Sequence, residues 1–559
     1  MNDIRRTILW VIFAFSMVLL WDKWQVHNGK KATFFPAPVT VPVAAPAAPV
    51  APGASSVPSS TPASADGSQV PGAAPVAAAR ESVQVATDVL ALTFDTQGGT
   101  LKHAEMRKYA DMADKSKSFV LFDESAQRVY KAESGLIGGS FPNHTTAMQL
   151  VPGPTTLQDG QNELQIRFES AEVGGVKLVK TYTLKRGAYD IAVRHDVVNS
   201  GTAAVTPKLY VQLVRDGNAP PGESSMYSTF TGPAVYTEAK KYQKVEFKNI
   251  EKDKAEFEKS STNGYVAMVQ HYFASAWLLA DGVQRDIFAR KVSDNLYAVG
   301  MMTPLGTVEP GQSKSVEAKL FAGPQLEKTL EALAPGLELV KDYGWLTIMA
   351  KPLYWLLDQI HSLLGNWGWS IVGLVLVLKI LFYWLNAKAY ASMAKMKAIN
   401  PKIMEMRERL KDKPQQMQQE MMRIYREEKV NPMGGCFPII IQMPVFMALY
   451  WVLQSSVEIR NAPWIGWIHD LSMPDPFFIL PLLMTLSSLL QTALNPAPPD
   501  PMQAKMMWIM PLMFSVMFFF FPAGLVMYWL TNNILSIAQQ WLINTRMGVP
   551  PQFNLPKFK

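Results

Sequence analysis

The sequence predicts a polytopic α-helical membrane protein carrying a large extracytoplasmic β-sandwich domain. Three observations lead there. Residues 368–542 are dominated by apolar runs, and about 20 apolar residues cross hydrocarbon roughly 30 Å thick. Residues 82–340 instead alternate apolar and polar with Gly and Asn punctuation, the pattern of half-buried strands. Basic residues crowd one inter-span loop and avoid the next, which sets orientation. The chain has 559 residues, too many for one compact domain, and its 48% apolar content averages two dissimilar regions. Formal net charge is +7, and its placement matters more than its sum. Cys436 is the lone cysteine, so no intrachain disulfide can form. A large domain folds in an oxidising compartment without one.

Arg5 and Arg6 precede an apolar stretch edged by Trp21 and Trp24. It reads as a cleaved signal or an uncleaved anchor. Trp21, Asp22, Lys23 and Trp24 stand where a small-residue cleavage site belongs, which favours an anchor over residues 1–24. Residues 25–80 are rich in Pro and Ala and form an extended tether with no chemistry. Residues 81–341 form the sandwich. Strands are expected at 83–96, 163–169, 176–184, 189–199 and 208–214, with a closing helix at 325–339. Residues 342–366 are amphipathic and aromatic-rich, but Lys351, Asp358 and His361 interrupt the apolar face and Pro352 breaks it. That segment reads as a helix lying along the membrane surface. Residues 367–545 supply the remaining spans: 370–385, 437–457, 477–494, 506–521 and 525–542. The last two are joined by a tight turn at Pro522, Ala523 and Gly524. With the anchor, six transmembrane helices result. A short tail, 546–559, follows.

Between the first two of these core spans lie eleven Lys and Arg residues, among them Lys395, Lys397, Lys402, Arg407 and Arg409; the next loop has only Arg460. The basic loop is therefore cytoplasmic, as are both termini, and the sandwich faces outward. The loop, 387–430, has helical period with a break at Pro414, so it forms a two-helix hairpin rich in Met. Those Met residues suit either an ordinary hairpin core or an adaptable surface for apolar clients. The basic face suits lipid contact or docking of an anionic ribosome.

Lys379 stands inside the otherwise apolar run SIVGLVLVLKILFYWL. An ammonium in hydrocarbon costs at least about 2.5 kcal/mol, so it needs a counter-ion, a water-filled cavity or a substrate. Seven residues before Asn386, it lies about 10 Å inside the cytoplasmic end of its helix. Gln442 lies about 8 Å in from the same side. Asn532 and Asn533 sit near the middle of the last span, and Gln539 and Gln540 near its cytoplasmic end. The outer halves of these spans are nearly all apolar. Together they predict a hydrated cavity open to the cytoplasm and closed outside. The competing readings are that Lys379 snorkels to the headgroups and that the amides join helices by hydrogen bonds. Trp464, Trp467, Trp508, Tyr528 and Trp529 read as interfacial anchors.

The text NPMGGCFPIIIQMPVFMALY from Asn431, AYASMAKMKAINPKI from Ala389, FPAGLVMYW from Phe521 and DYGWL from Asp342 resembles the YidC/Oxa1/Alb3 membrane insertase family. TDVLALTFDTQGG from Thr87 and HYFASAW from His271 resemble its Gram-negative YidC branch. The resemblance implies six spans with a five-helix insertase core, and a periplasmic supersandwich domain. It implies insertion and folding of nascent membrane proteins in the bacterial inner membrane, alone or with the Sec translocon. Ribosome and targeting machinery and membrane lipids are the implied partners. It places a basic residue, usually Arg, where Lys379 stands, and turns Trp529 toward the groove. Lys keeps the charge and forgoes the bidentate fork of Arg.

No bond is made or broken in such a process, so the reading assigns no enzyme activity, catalytic residue, metal or cofactor. A secondary transporter or channel would need intramembrane carboxylates or a repeated architecture. No Asp or Glu lies within the five core spans. A membrane-anchored enzyme would need chemistry in the sandwich, yet His103, His144, His195 and His271 have no metal-ligand spacing.

Overall fold

A computed structural model describes residues 81–112, 114–220, 229–411, 413–428, 437–495, 501–548 and 553. The expected anchor, tether, most of the tail, and the loop residues Asn431 to Cys436 lie outside the described residues. The chain divides into two compact units, one ending at Val340 and the other beginning at Lys341.

The first unit is built on two nine-stranded antiparallel sheets. One runs, in spatial order, Ser82–Ala86, Leu90–Asp95, Thr100–Ala110, Ser118–Glu124, Val129–Ile137, Lys208–Asp216, Leu296–Pro304, Arg285–Ser293 and Ser260–Ser261. The other runs Lys241–Lys244, Gly232–Thr237, Tyr265–Val269, Phe273–Leu279, Ser313–Pro324, Asp190–Asn199, Val176–Lys185, Glu163–Ser170 and Met148–Leu150. Period-2 patterning sets the inward face: in Glu163–Ser170 the buried residues include Leu164, Ile166 and Phe168, with Gln165 and Arg167 outside. Phe273–Leu279 is buried along its whole length. Side chains tie the sheets together. Trp277 donates its indole N–H to the Gln212 carbonyl at 3.0 Å, and Tyr130 donates to Met268 O at 3.2 Å. Lys180 donates to the carbonyls of Gly98 and Ser134 at 2.6 and 2.7 Å.

Two sequence expectations are corrected in this unit. The stretch 83–96 is two strands, because Thr87 closes a tight turn between them: its hydroxyl accepts from Leu90 N at 3.0 Å. Side-chain capping by Thr makes a turn that Gly and Pro do not mark. The closing helix at 325–339 is short. It comprises α2 (Glu327–Leu333), after the earlier α1 (Phe247–Glu251), and then a separate 3₁₀ turn at Leu337–Val340. Between them stand Pro335 and Gly336, the latter left-handed at φ +77°.

The second unit is helical: α3 (Thr347–Leu364), α4 (Trp367–Leu381), α5 (Tyr383–Arg409), α6 (Pro414–Glu427), α7 (Phe437–Ser455), α8 (Ile479–Leu494), α9 (Pro501–Phe518) and α10 (Ala523–Arg546). Among the described residues no single helix is long and apolar enough to cross a membrane, although α4 and α5 pass that test together as a bent pair. The pair bends by 68° at Phe382, so the run expected as one span over 370–385 ends at Leu381. Lys379 therefore stands in the last turn of α4, not two turns inside it. A cation there faces the negative end of the helix dipole. Helix α3 runs unbroken through Pro352. It buries Ala350, Leu353, Tyr354 and Leu357, and exposes Ile348 and Trp355. The expected turn at 522–524 lies earlier: residues 519–522 separate α9 from α10, which begins at Ala523, whose N–H bonds Met473 O at 2.8 Å.

Candidate functional site

Residues four and seven apart share a helix face. Along α10 this puts Asn532, Ser536 and Gln539 on one stripe, and Asn533 and Gln540 on another. The first stripe meets α4, α5 and α7. Lys379 donates to Ser536 Oγ at 2.7 Å, Gln442 donates to Asn532 Oδ1 at 2.5 Å, and Asn386 donates to Gln539 at 3.3 Å. The second stripe meets α8 and its C-terminal end. Asn533 donates to Ser487 and Ser488 at 3.2 and 2.8 Å, and Gln540 to Asn495 at 3.2 Å.

Lys379 is only 9% exposed, and among the described residues no carboxylate forms an ion pair with it. It lines a hollow of about 450 Å³ with Asn386, Gln442, Tyr528 and Asn532. A second hollow of about 870 Å³ shares Asn386, Gln442, Tyr528 and Asn532 and adds Tyr390, Trp529, Asn533 and Ser536. Trp529 lies edge-on to Phe446, centroids 4.6 Å apart. Gln442 and Asn532 border both hollows, Lys379 the smaller and Trp529 the larger. Asn533 borders the larger as well, but its amide is spent on α8, a hydrogen-bond contact between helices. Sequence reading did not single out Ser536 or Asn386. The i+4 spacing of Ser536 from Asn532 was the available signal.

The hairpin holds the other candidate residues. Its core is Ile399, Ile403 and Met406, packed against Met396, Met417, Met421 and Ile424. Met404 and Met422 are exposed, and Met393 faces the larger hollow. The methionines thus divide between core and surface. Lys402 pairs with Glu428 at 2.5 Å, and that hydrogen bond lifts its ammonium above the ordinary lysine value. Arg409 pairs with Glu420 at 3.8 Å. Lys395 is exposed, whereas Lys397 and Arg407 are half-buried, and burial lowers the Lys397 amine. Glu420 of α6 and Glu428 just past its end therefore neutralise part of a face that the sequence reads as basic.

A further group escaped sequence reading. Lys341, its side chain fully buried, donates to both Glu458 oxygens at 3.1 Å, and Tyr354 donates to Glu458 at 2.6 Å. The pair fastens α3 to the chain just beyond α7. Among the described residues no cluster of three or more His, Cys, Asp or Glu is placed to hold a metal ion.

Two family models match the chain: the YidC periplasmic domain over residues 82–356 and the 60Kd inner membrane protein over residues 359–549. The membrane protein insertase YidC of Ralstonia nicotianae is 56% identical over 549 residues, 98% of each chain. That of Cupriavidus metallidurans is 55% identical over 548 residues, again 98% of each. A crystal structure of an active YidC insertase with its first transmembrane domain visible covers 83% of this chain and 92% of its own, at 18% identity and a TM-score of 0.39. The class is thus that of inner-membrane proteins with a periplasmic β-sandwich and a helical C-terminal region. Within it, the chain belongs to the YidC family of membrane protein insertases.

Proposed function

We propose that this chain inserts and folds nascent membrane proteins by offering their polar flanks a hydrated groove, walled by α4, α7, α10 and the start of α5, open to the cytoplasm and to lipid. A polar flank that must cross meets amides and an ammonium instead of hydrocarbon, which lowers its desolvation cost. The apolar segment then leaves sideways into lipid. Helices α4, α7, α8, α9 and α10 are the five core spans and residues 1–24 the sixth. Helix α3 lies along the membrane surface, the sandwich is periplasmic, and both termini are cytoplasmic. The hairpin α5–α6 receives clients from the ribosome and targeting machinery, and the Sec translocon and lipids are neighbours. The process makes no covalent bond, so no catalytic residue is needed.

One observation carries this reading: a buried ammonium at Lys379 lines a hollow with Gln442 and Asn532 and has no described carboxylate paired with it. Its missing counter-charge is what an acidic client flank would bring. The test is insertion of paired reporter clients differing only in flank charge, at matched insertase levels. Lys379→Arg keeps both clients. Lys379→Met loses the acidic-flank client and largely keeps the neutral one. Equal insertion of both by Lys379→Met removes the electrostatic role.

A further inference from the structure

We infer that Ser536 is the positioning residue that holds the Lys379 ammonium inside the bundle, and so sets how strongly the groove prefers acidic flanks. The inference rests on the electrostatic reading of Lys379 given above.

The geometry is a relay. Lys379 donates to Ser536 Oγ at 2.7 Å, and the same hydroxyl donates to Asn532 O one turn earlier on α10 at 2.7 Å. With its proton directed to its own helix, Ser536 presents lone pairs to α4. It can therefore serve the amine only as an acceptor, which a charged ammonium requires. Ser536 is itself 3% exposed, so the hydroxyl is fixed by its surroundings. Asn532, whose carbonyl takes that proton, accepts from Gln442 through its side chain. One α10 turn thus orients both polar groups that α4 and α7 bring to the hollow.

Lysine has a long flexible stem, and from the last turn of α4 it could swing its amine toward water. A single neutral acceptor competes with that swing. It holds the ammonium more weakly than a carboxylate would, so an arriving acidic side chain can displace it. A carboxylate at 536 would instead neutralise the groove, and an apolar residue would leave the amine untethered.

The test uses the full chain in membranes and compares Ser536→Thr with Ser536→Val, two side chains of nearly the same shape that differ by the hydroxyl. Two readouts follow: insertion of the paired clients, and labelling of the Lys379-containing peptide by an amine-reactive reagent, read by mass spectrometry in inverted membrane vesicles. Ser536→Thr should match the native chain in both. Ser536→Val should insert the acidic-flank client about tenfold or more less well, the effect of losing one hydrogen bond to a charged group. The neutral client should change less than twofold by the same comparison, and Lys379 should label faster. Equal behaviour of the Thr and Val proteins overturns the role of Ser536. If Lys379→Met shows no preference between clients, the underlying electrostatic reading fails instead. A Val protein that loses both clients equally while Lys379 labelling stays native assigns Ser536 to packing and overturns the inference.

Discussion

Lys180 shows what a sheet interior does to an amine. It is fully buried between two carbonyls, and burial pulls its pKa down to about 7 against the opposing pull of Glu133. His195, also fully buried, is lowered to about 3, by burial first and then by the charge on Lys180. Both folded values lie below the ordinary ones, so the unfolded chain binds more protons across each window. Stability should therefore rise with pH from about 3 to 6.5 through His195, and from about 7 to 10.5 through Lys180. One proton contributes a slope near 1.4 kcal/mol per pH unit. Denaturant midpoints of the periplasmic unit measured at several pH values should climb across the upper window, and Lys180→Met should flatten that climb. A native midpoint that falls from pH 7 to 9 would sink this account. Lys180 was legible in principle, because Leu178, Lys180 and Tyr182 share one parity of their strand and are all buried. Lys379 was legible at once, since nothing else charged stands near it in its run. Ser536 was not, because a hydroxyl in an apolar helix gains meaning only when a cation from another helix meets it.

At the scale of elements, the sequence located the helices and strands better than their ends. The bend at Phe382 has no Gly or Pro to announce it, and the run of apolar and aromatic residues continues across it. Pro352 interrupts the apolar face of α3 but not the helix, which passes through it without a break. The hairpin was read from period and the Pro414 boundary, and the structure places Pro414 at the first position of α6, where a missing N–H costs nothing. Its core is small, which makes it sensitive. Ile403 is 1% exposed at the centre of the cluster, so Ile403→Ala should destabilise the α5–α6 pairing by about 2–4 kcal/mol. Met422 is 48% exposed, and Met422→Ala should leave it intact. Limited proteolysis in inverted vesicles checks this: the Ile403 variant should be cut within the hairpin much sooner than the Met422 variant. Equal cleavage rates would mean that lipid or the bundle, not this cluster, holds the two helices together.

For the whole molecule, charge asymmetry carries the proposed topology. The basic residues of α5 and α6 remain on the hairpin surface in part, although Lys402 and Arg409 are paired with Glu428 and Glu420. Ion pairs within the loop leave the count of Lys and Arg unchanged, and that count rather than net charge sets orientation. In a Cys436→Ala background, Ser200→Cys should react with an impermeant thiol reagent in intact spheroplasts, and Gln416→Cys only after lysis. Both positions are exposed in the fold. Reaction of Gln416→Cys before lysis would invert the proposed topology. The division into sandwich and helical units was readable from composition, because it follows from bulk patterning. How α10 sorts its polar residues into two stripes was not, since that depends on which neighbours surround it.

The pair between Lys341 and Glu458 has a consequence for the order of events on the ribosome. The partners are 117 positions apart, so Lys341 emerges long before the carboxylate that will hold it. At roughly 5–20 residues per second the wait is of order ten seconds. Until α7 is made, α3 can dock on α4 alone; once α7 is complete it can pack there as well, and the Lys341 ammonium meanwhile has the Tyr354 ring beside it. The ion pair closes after α7 is complete, so it is the last fastening of α3 rather than its first. A chain halted anywhere before Glu458 would carry α3 half-anchored, with one buried position waiting for a charge not yet made.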